Sequence, residues 1–219
     1  MIVVAIDGPS GAGKSSTAKL VAQRAGWNYL DTGALYRAVT WLAQRESASD
    51  SQSILSALKR FPIRFVTSAS KPEIFVGDVD VTRDIRGDVV TNAVSQISAL
   101  PEIRAELLAI QRKFIAGAER GIVVEGRDIG TVVVPDAPLK IYLQADIEAR
   151  TKRRSAEVDQ KTSDVEASLN SRDEIDSTRA NSPLAKAMDA VLIDSTDLSL
   201  EETVARVWEI LKERSLLGL

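Results

Sequence analysis

Residues 2–17 read Ile-Val-Val-Ala-Ile-Asp-Gly-Pro-Ser-Gly-Ala-Gly-Lys-Ser-Ser-Thr. The run from Ile2 to Ile6 is apolar and largely β-branched, the composition of a buried strand. Gly8, Gly13, Lys14 and Ser15 then fill the pattern G-x-x-x-x-G-K-[ST], and a helical run to Ala25 starts at once. Strand, glycine-rich loop and helix is the context in which this pattern cradles phosphates. Loop N–H groups point inward, and the helix N-terminus adds unpaired donors and a positive dipole end. Gly11 and Gly13 keep Cβ atoms out of the anion's way. Lys14 is expected to reach the β- and γ-phosphates of a nucleoside triphosphate, and Ser15 to take Mg²⁺. The expected triphosphate-binding residues are therefore Gly8, Pro9, Ser10, Gly11, Ala12, Gly13, Lys14, Ser15 and Ser16.

Composition narrows what the triphosphate is used for. The 219 residues, 44% of them hydrophobic, suffice for one α/β core with an insertion. No run of 18 apolar residues occurs, so no membrane span is expected. The chain enters a strand at once with no signal-like segment, and a cytoplasmic location is expected. There is no Cys, hence no disulfide and no thiolate zinc site. There is also no His, which removes imidazole bases and His–metal sites and disfavours many hydrolases and acyl transferases. Phosphoryl transfer to a phosphate monoester is not hindered, because its nucleophile is already an anionic oxygen. A net charge of −3 argues against nucleic-acid binding through a basic face. Phosphate ligands must be met by locally clustered arginines.

The hydrophobic periods lay out the rest. A helix over Lys14–Ala25 stops at Gly26, and a short strand is expected at Trp27–Leu30. Asp31-Thr32-Gly33 opens a helix from Ala34 to about Glu46, with Leu35, Ala38, Val39 and Leu42 as its stripe. The polar stretch Ser47 to Ser53 reads as a loop. Phe61–Thr67, Glu73–Val76 and Val79–Val81 read as a small antiparallel meander. Helices are expected at Asp84–Ser98 and Pro101–Ile115, then a buried strand at Ile122–Val124 and another at Leu139–Leu143. Ala145–Glu157 and Val165–Arg179 read as charged helices around a polar segment, Asp159–Asp164. Val191–Ile193 is a last strand and Leu200–Arg214 a terminal helix. Strands alternating with helices predict a doubly wound parallel sheet.

Ligands of such sheets collect at the carboxyl ends of the strands. Three ends are chemically loaded: the phosphate loop, Asp31-Thr32 with Arg37 one turn on, and Arg127-Asp128. Arg172, Asp176 and Arg179, at i, i+4, i+7, share a helical face, as do Arg150, Arg153 and Arg154 at i, i+3, i+4. The latter set fits a lid folding over phosphates and equally fits an ordinary basic helix face. No Asn-Lys-x-Asp motif of the common GTPases is present, and Val123-Val124-Glu125-Gly126 is not the Asp-Glu strand end of motor ATPases. Arginines at several strand ends imply a second phosphate besides the triphosphate, as in a kinase of a phosphorylated small molecule.

Four motifs then carry a resemblance. Asp7-Gly-Pro-Ser-Gly-Ala-Gly-Lys-Ser15, Asp31-Thr-Gly-Ala-Leu-Tyr-Arg37, Ser95-Gln96 followed by Pro101 and Arg104, and Gly126-Arg-Asp-Ile-Gly-Thr-Val-Val133 closely resemble bacterial cytidylate kinase, in order and over nearly the whole chain. The resemblance implies a P-loop nucleoside monophosphate kinase: a doubly wound parallel sheet with a small antiparallel insertion domain and a short lid. Residues 1–59 and 115–219 would form the core, with the lid at about 155–164, and residues 60–114 the monophosphate-binding insertion. It implies transfer of the γ-phosphoryl of ATP, with Mg²⁺, to CMP or dCMP. Arg37, Arg127 and Arg179 would hold the acceptor phosphate, Arg172 and Asp176 the ribose hydroxyls. Ser95, Arg104, Asp128 and Thr32 would read the cytosine. Lys14, Arg127, Asp128 and Arg179 would carry catalysis, with Arg150 and Arg154 on the ATP side. Ile175 stands where some relatives carry a further arginine, and Glu125 where some carry Asp. A carboxylate accepting from the exocyclic amino group of cytosine is sound chemistry by itself. The expected partners are nucleotides, with neither nucleic acid nor membrane, and a monomer is expected. Other readings are a kinase of another small acceptor (UMP, dTMP or shikimate) and a nucleotide-dependent switch.

Overall fold

The fold is that of a computed structural model, which describes residues 1–156, 161–178 and 182–217. Its strands are β1 (Ile2–Asp7), β2 (Asn28–Asp31), β3 (Ile63–Val66), β4 (Glu73–Val76), β5 (Val79–Asp80), β6 (Gly121–Gly126), β7 (Leu139–Gln144) and β8 (Val191–Asp194). The helices are α1 (Lys14–Ala25), α2 (Thr32–Arg45), α3 (Ser51–Arg60), α4 (Asp88–Ser98), α5 (Pro101–Ala116), α6 (Ile147–Ser155), α7 (Thr162–Thr178) and α8 (Leu200–Glu213). Five strands form a parallel sheet in the order β2-β6-β1-β7-β8, and β3-β4-β5 form an antiparallel one.

The parallel sheet is covered on both faces, as its strand composition requires. Val3 and Ala5 of β1 and Ile122 and Val124 of β6 face one apolar cluster, which holds Leu35, Ala38 and Leu42 of α2. Val4, Ile6 and Val123 face the other, with Val21 of α1 and Val207 of α8. Phe65, Ile74 and Val76 of the antiparallel sheet join the α2 cluster, so that sheet is rooted in the same core. The register sets Asp7 beside Gly126, and Ile6 and Asp31 each beside Glu125. The polar ends of β1, β2 and β6 thus reach one edge of the sheet together.

Several elements depart from the sequence reading. Helix α3 occupies a stretch begun by an expected loop. Asp50 accepts from the Ser53 N–H at 2.9 Å while the Ser53 side chain bonds back to the Asp50 backbone, a capping box built on serine. Ile54, Ala57 and Leu58 then bury one face. Helix α2 starts at Thr32, because the Asp31 carboxylate caps it by accepting from the Ala34 N–H at 2.9 Å. The single helix expected over Asp84–Ser98 is a 3-10 turn (Asp84–Arg86), then Gly87, then α4. A π-helical turn over Ile129–Val133 follows Asp128, where the sequence pattern marks no element. Part of the expected lid, residues 157–160, lies outside the described residues.

Candidate functional site

A cavity of about 740 Å³ opens over the carboxyl edge of the sheet. Ser10–Thr17 line one side of it. Asp31, Gly33 and Arg37 of β2 and α2, with Arg86, line a second. Glu125, Arg127, Arg153, Arg154 and Arg172 close it from β6, α6 and α7. The loop passes so near β7 that a Cβ on Gly8, whose φ is +149°, would stand 2.0 Å from the Leu143 carbonyl oxygen.

Lys14 is buried and donates from Nζ to the Pro9 carbonyl at 2.7 Å. Burial, then the nearby Arg127, hold its ammonium well below the ordinary lysine range. Ser15 donates from Oγ to Glu125 Oε1 at 2.6 Å, and the Tyr29 hydroxyl donates to the same oxygen at 3.3 Å. Burial, then Asp31, push the Glu125 carboxyl up. Arg37 donates to the Ile85 carbonyl at 3.0 Å and to Thr91 Oγ1 at 2.8 Å. Burial pushes Arg37 and Arg172 down to about 10, helped by Arg172 on the former and by Arg127 on the latter. Both stay charged at neutral pH. These guanidiniums repel one another across a desolvated space, a strain an anionic ligand relieves. Arg127 donates from Nε to Asp176 Oδ2 at 2.8 Å and from an NH2 to Ser10 Oγ at 3.0 Å. Burial pulls its pKa down, but the Asp176 ion pair, with Glu125 and Asp173 nearby, raises it on balance.

The expected base-reading residues stand apart from this wall. Arg104 and Asp128 form a buried ion pair bordering a smaller cavity of about 220 Å³, beside Tyr36. Arg104 also donates to the Ser98 carbonyl at 3.2 Å, and its guanidinium lies 5.4 Å from the Tyr36 ring centre. The buried Arg104 Nε has no hydrogen-bond partner among the described residues. Ser95 is half-buried on α4 and lines neither cavity. Thr32 is buried and spends its hydroxyl on the Glu125 carbonyl at 2.8 Å.

The three arginines of α6 diverge. Arg150 is buried beneath the loop, donating to the carbonyls of Ala145 and Ser10 at 3.1 Å each. Arg153 reaches the Ser195 hydroxyl at 3.1 Å and the Leu198 carbonyl at 3.2 Å. Arg154 lines the large cavity. Arg179 lies outside the described residues.

Asp31, at a loaded strand end, and Arg153, of the basic helix set, line the cavity, and so do Arg86 and Glu125, to which the sequence reading gives no role in the site. Arg86 meets Asp31 Oδ2 at 3.3 Å. Arg86, in a 3-10 turn, carries no sequence mark; for Glu125 the available signal is a charged residue at the end of an apolar strand, and it also marks Asp7. That buried carboxylate accepts from the N–H groups of Ile129 at 2.8 Å and Gly130 at 2.7 Å, pinning the turn that carries Arg127 and Asp128. Burial pushes Asp7 up to about 6, against those two bonds. Below that pH the protonated carboxyl keeps less acceptor capacity and the turn loosens. An acid limb of kcat/KM near pH 6 is therefore expected, and Asp7→Asn should flatten it at a lower plateau. A variant profile that keeps the wild-type limb assigns it to another group.

A family model described as cytidylate kinase matches residues 4–213. A cytidylate kinase of Streptomyces avermitilis is 48% identical over 218 residues, covering 97% of this chain and 94% of the relative. One of a Geobacillus species is 46% identical over 220 residues, covering 97% of each. Among solved structures, shikimate kinase from Acinetobacter baumannii in complex with shikimate aligns over 99% of this chain and 96% of its own, with TM-score 0.52 and 11% identity, a likeness of fold alone.

Proposed function

The chain belongs to the cytidylate kinase family, and from that premise we propose that it transfers the γ-phosphoryl group of ATP to CMP or dCMP, giving CDP or dCDP. The observation that carries this reading is the cavity with a phosphate loop on one side and Arg37, Arg86, Arg127, Arg153, Arg154 and Arg172 around the rest. Two facing anion subsites suit in-line transfer between two phosphates, for which the protein supplies positioning and positive charge.

On this reading the loop N–H groups and Lys14 hold the triphosphate. Arg127 and Arg37, with Arg179, hold the acceptor phosphate, and Arg172 and Asp176 the ribose. Asp128 and Arg104 meet the cytosine, the carboxylate accepting from its amino group and the unpartnered Nε offering a donor to its acceptors. Arg154 covers the donor side, whereas Arg150 acts through the loop backbone. Thr32 acts by fixing the Glu125 carbonyl. Residues 60–114 would serve as the monophosphate-binding insertion on the remaining core. We place the protein in the cytoplasm as a monomer; no helix among the described residues is long and apolar enough to cross a membrane.

Mg²⁺ fits the same site. Ser15 Oγ and Glu125 Oε1 are hard oxygen donors in contact, and Glu125 is a buried carboxylate whose charge a divalent cation would compensate. These two residues would hold it. The ion would supply positive charge against the triphosphate oxygens.

The experiment is a coupled assay of ADP release with each monophosphate in turn: turnover is expected with CMP and dCMP. Slow hydrolysis indifferent to added monophosphates would indicate a switch instead. A second measurement addresses the acceptor side. Asp176→Ala removes the carboxylate that orients Arg127 and is proposed to hold the ribose. It should raise KM for CMP by about tenfold or more, given about 1.5 kcal/mol or more for a charged hydrogen bond. The affinity for ATP measured alone should stay within about twofold. An unchanged KM for CMP would leave Asp176 only as the buried partner of Arg127, with no part in holding the acceptor.

A further inference from the structure

Ser10 lies at the start of the phosphate loop and is almost fully buried. Each of its three polar groups is held by a residue distant in sequence. Its N–H donates to Asp173 Oδ1 at 3.4 Å, and its carbonyl accepts from Arg150 at 3.1 Å. Its hydroxyl accepts from Arg127 at 3.0 Å. The other oxygen of Asp173 pairs with the same Arg150 guanidinium. Asp173, Arg150 and Ser10 therefore form a closed ring of contacts, and Arg150 presses on the loop again at Gly11. A Cβ on Gly11 would meet the Arg150 Cβ at 3.1 Å, and Gly11 has φ of +79°. Ser10 and Arg150 are each more than nine-tenths buried, and the charge-assisted Arg150–Asp173 pair is the strong, directional link of the ring.

The ring ends on α7. Asp173 follows Arg172, which lines the cavity, and precedes Asp176, which holds Arg127, by three residues. Asp173 and Asp176 thus share one face of α7, and one grips the donor loop while the other grips the acceptor-side arginine. Resting on the kinase reading above, we infer that Asp173 is a positioning residue that couples the two nucleotide sites. An acceptor that draws Arg172, Asp176 and Arg127 into place shifts α7, and Asp173 passes the shift through Arg150 to the Ser10–Gly11 backbone. The donor loop is then set for the triphosphate only when the acceptor is seated. Nothing in this chain of contacts requires Asp173 to touch either nucleotide.

The readout is the coupling factor, the ratio of dissociation constants for a β,γ-imido analogue of ATP without and with saturating CMP, measured by calorimetry in the presence of Mg²⁺. In the wild-type protein the ratio is expected at about fivefold or more, within the usual range of inter-site coupling. Asp173→Asn keeps the shape but cannot neutralise Arg150, and its ratio should fall to within about twofold of one. Asp173→Glu keeps the charge and should restore most of the coupling. A purely structural role would lower the melting temperature and leave the ratio alone. The inference is overturned if Asp173→Asn retains the wild-type ratio, if the wild-type protein shows no coupling, or if Asp173→Glu restores none. Should Asp173→Asn not fold, Arg150→Gln breaks the same path one link nearer the loop, since Arg150 joins Asp173 to the Ser10 carbonyl; it should lower the ratio likewise, and an unchanged ratio there also overturns the inference. A wild-type protein that makes no CDP would instead count against the kinase reading, which separates the two failures.

Discussion

Replacing Lys14 with alanine is expected to lower kcat for CMP phosphorylation by about 10²–10⁴-fold, the scale on which a preorganised charge at a reacting group acts. Lys14 is held for that task. Its stem is buried, its Nζ is fixed on the Pro9 carbonyl, and Arg127 and Glu125 are close enough to perturb it from opposite sides. A lysine in water could point anywhere; here the ammonium is already desolvated and aimed along the loop. The same burial makes it a cost to the empty protein. Its folded pKa lies below the unfolded one, so the folded state prefers the neutral amine. The penalty sets in as pH falls through the unfolded value and is complete below the folded one. Removing Lys14 relieves that penalty while depriving Glu125 of a favourable charge, so the melting temperature without nucleotide should change by only a few degrees. Steady-state kinetics and a thermal melt on one preparation test both halves. Wild-type turnover in Lys14→Ala would overturn the assignment of the loop as the ATP site.

Asp128→Asn is expected to act twice. Asp128 and Arg104 are each more than nine-tenths buried and paired only within the protein. Taking the charge from one member leaves a buried guanidinium uncompensated, at a cost of about 3 kcal/mol, the low end for breaking such a pair because Asn still accepts one bond. Chemical denaturation measures that loss. The second effect is on substrate choice. A carboxylate accepts from the amino group of cytosine and repels O4 of uracil, whereas the Asn amide can turn and donate to O4. One hydrogen bond lost and one repaired, at about 1–3 kcal/mol each, should drop the CMP to UMP ratio of kcat/KM by about tenfold or more. A double variant, Arg104→Met with Asp128→Leu, separates the two effects: it removes both buried charges and should regain stability without regaining CMP turnover. If the ratio holds in Asp128→Asn while stability falls, Asp128 serves the fold and not the base.

Much of this was legible along the chain. The phosphate loop, the helix stop at Gly26, the buried strand at 122–124 that grows to 121–126 in the structure, and the antiparallel meander all follow from patterns a few residues long, because backbone preference and burial period are local properties. Where those patterns were ambiguous the reading slipped by local margins. Helix α3 has a serine where a capping box usually shows Glu or Gln, and Gly87 interrupts what looked like one helix. The separate strand ends could also be read as chemically loaded. What the sequence could not contain was their pairing. Thr32 looks like a base contact until β6 lies beside β2 and its hydroxyl finds the Glu125 carbonyl 93 positions away. Arg150, Arg153 and Arg154 share a helix face on paper, yet they part toward a buried loop, a carbonyl cluster and the open cavity. Asp173 is one more acid on a charged helix until α7 docks and places it 3.4 Å from a backbone nitrogen 163 residues earlier. A guanidinium or carboxylate takes its meaning from what desolvates it and what neutralises it. In a parallel sheet those neighbours arrive through crossovers and register, so only the assembled fold decides which charges meet.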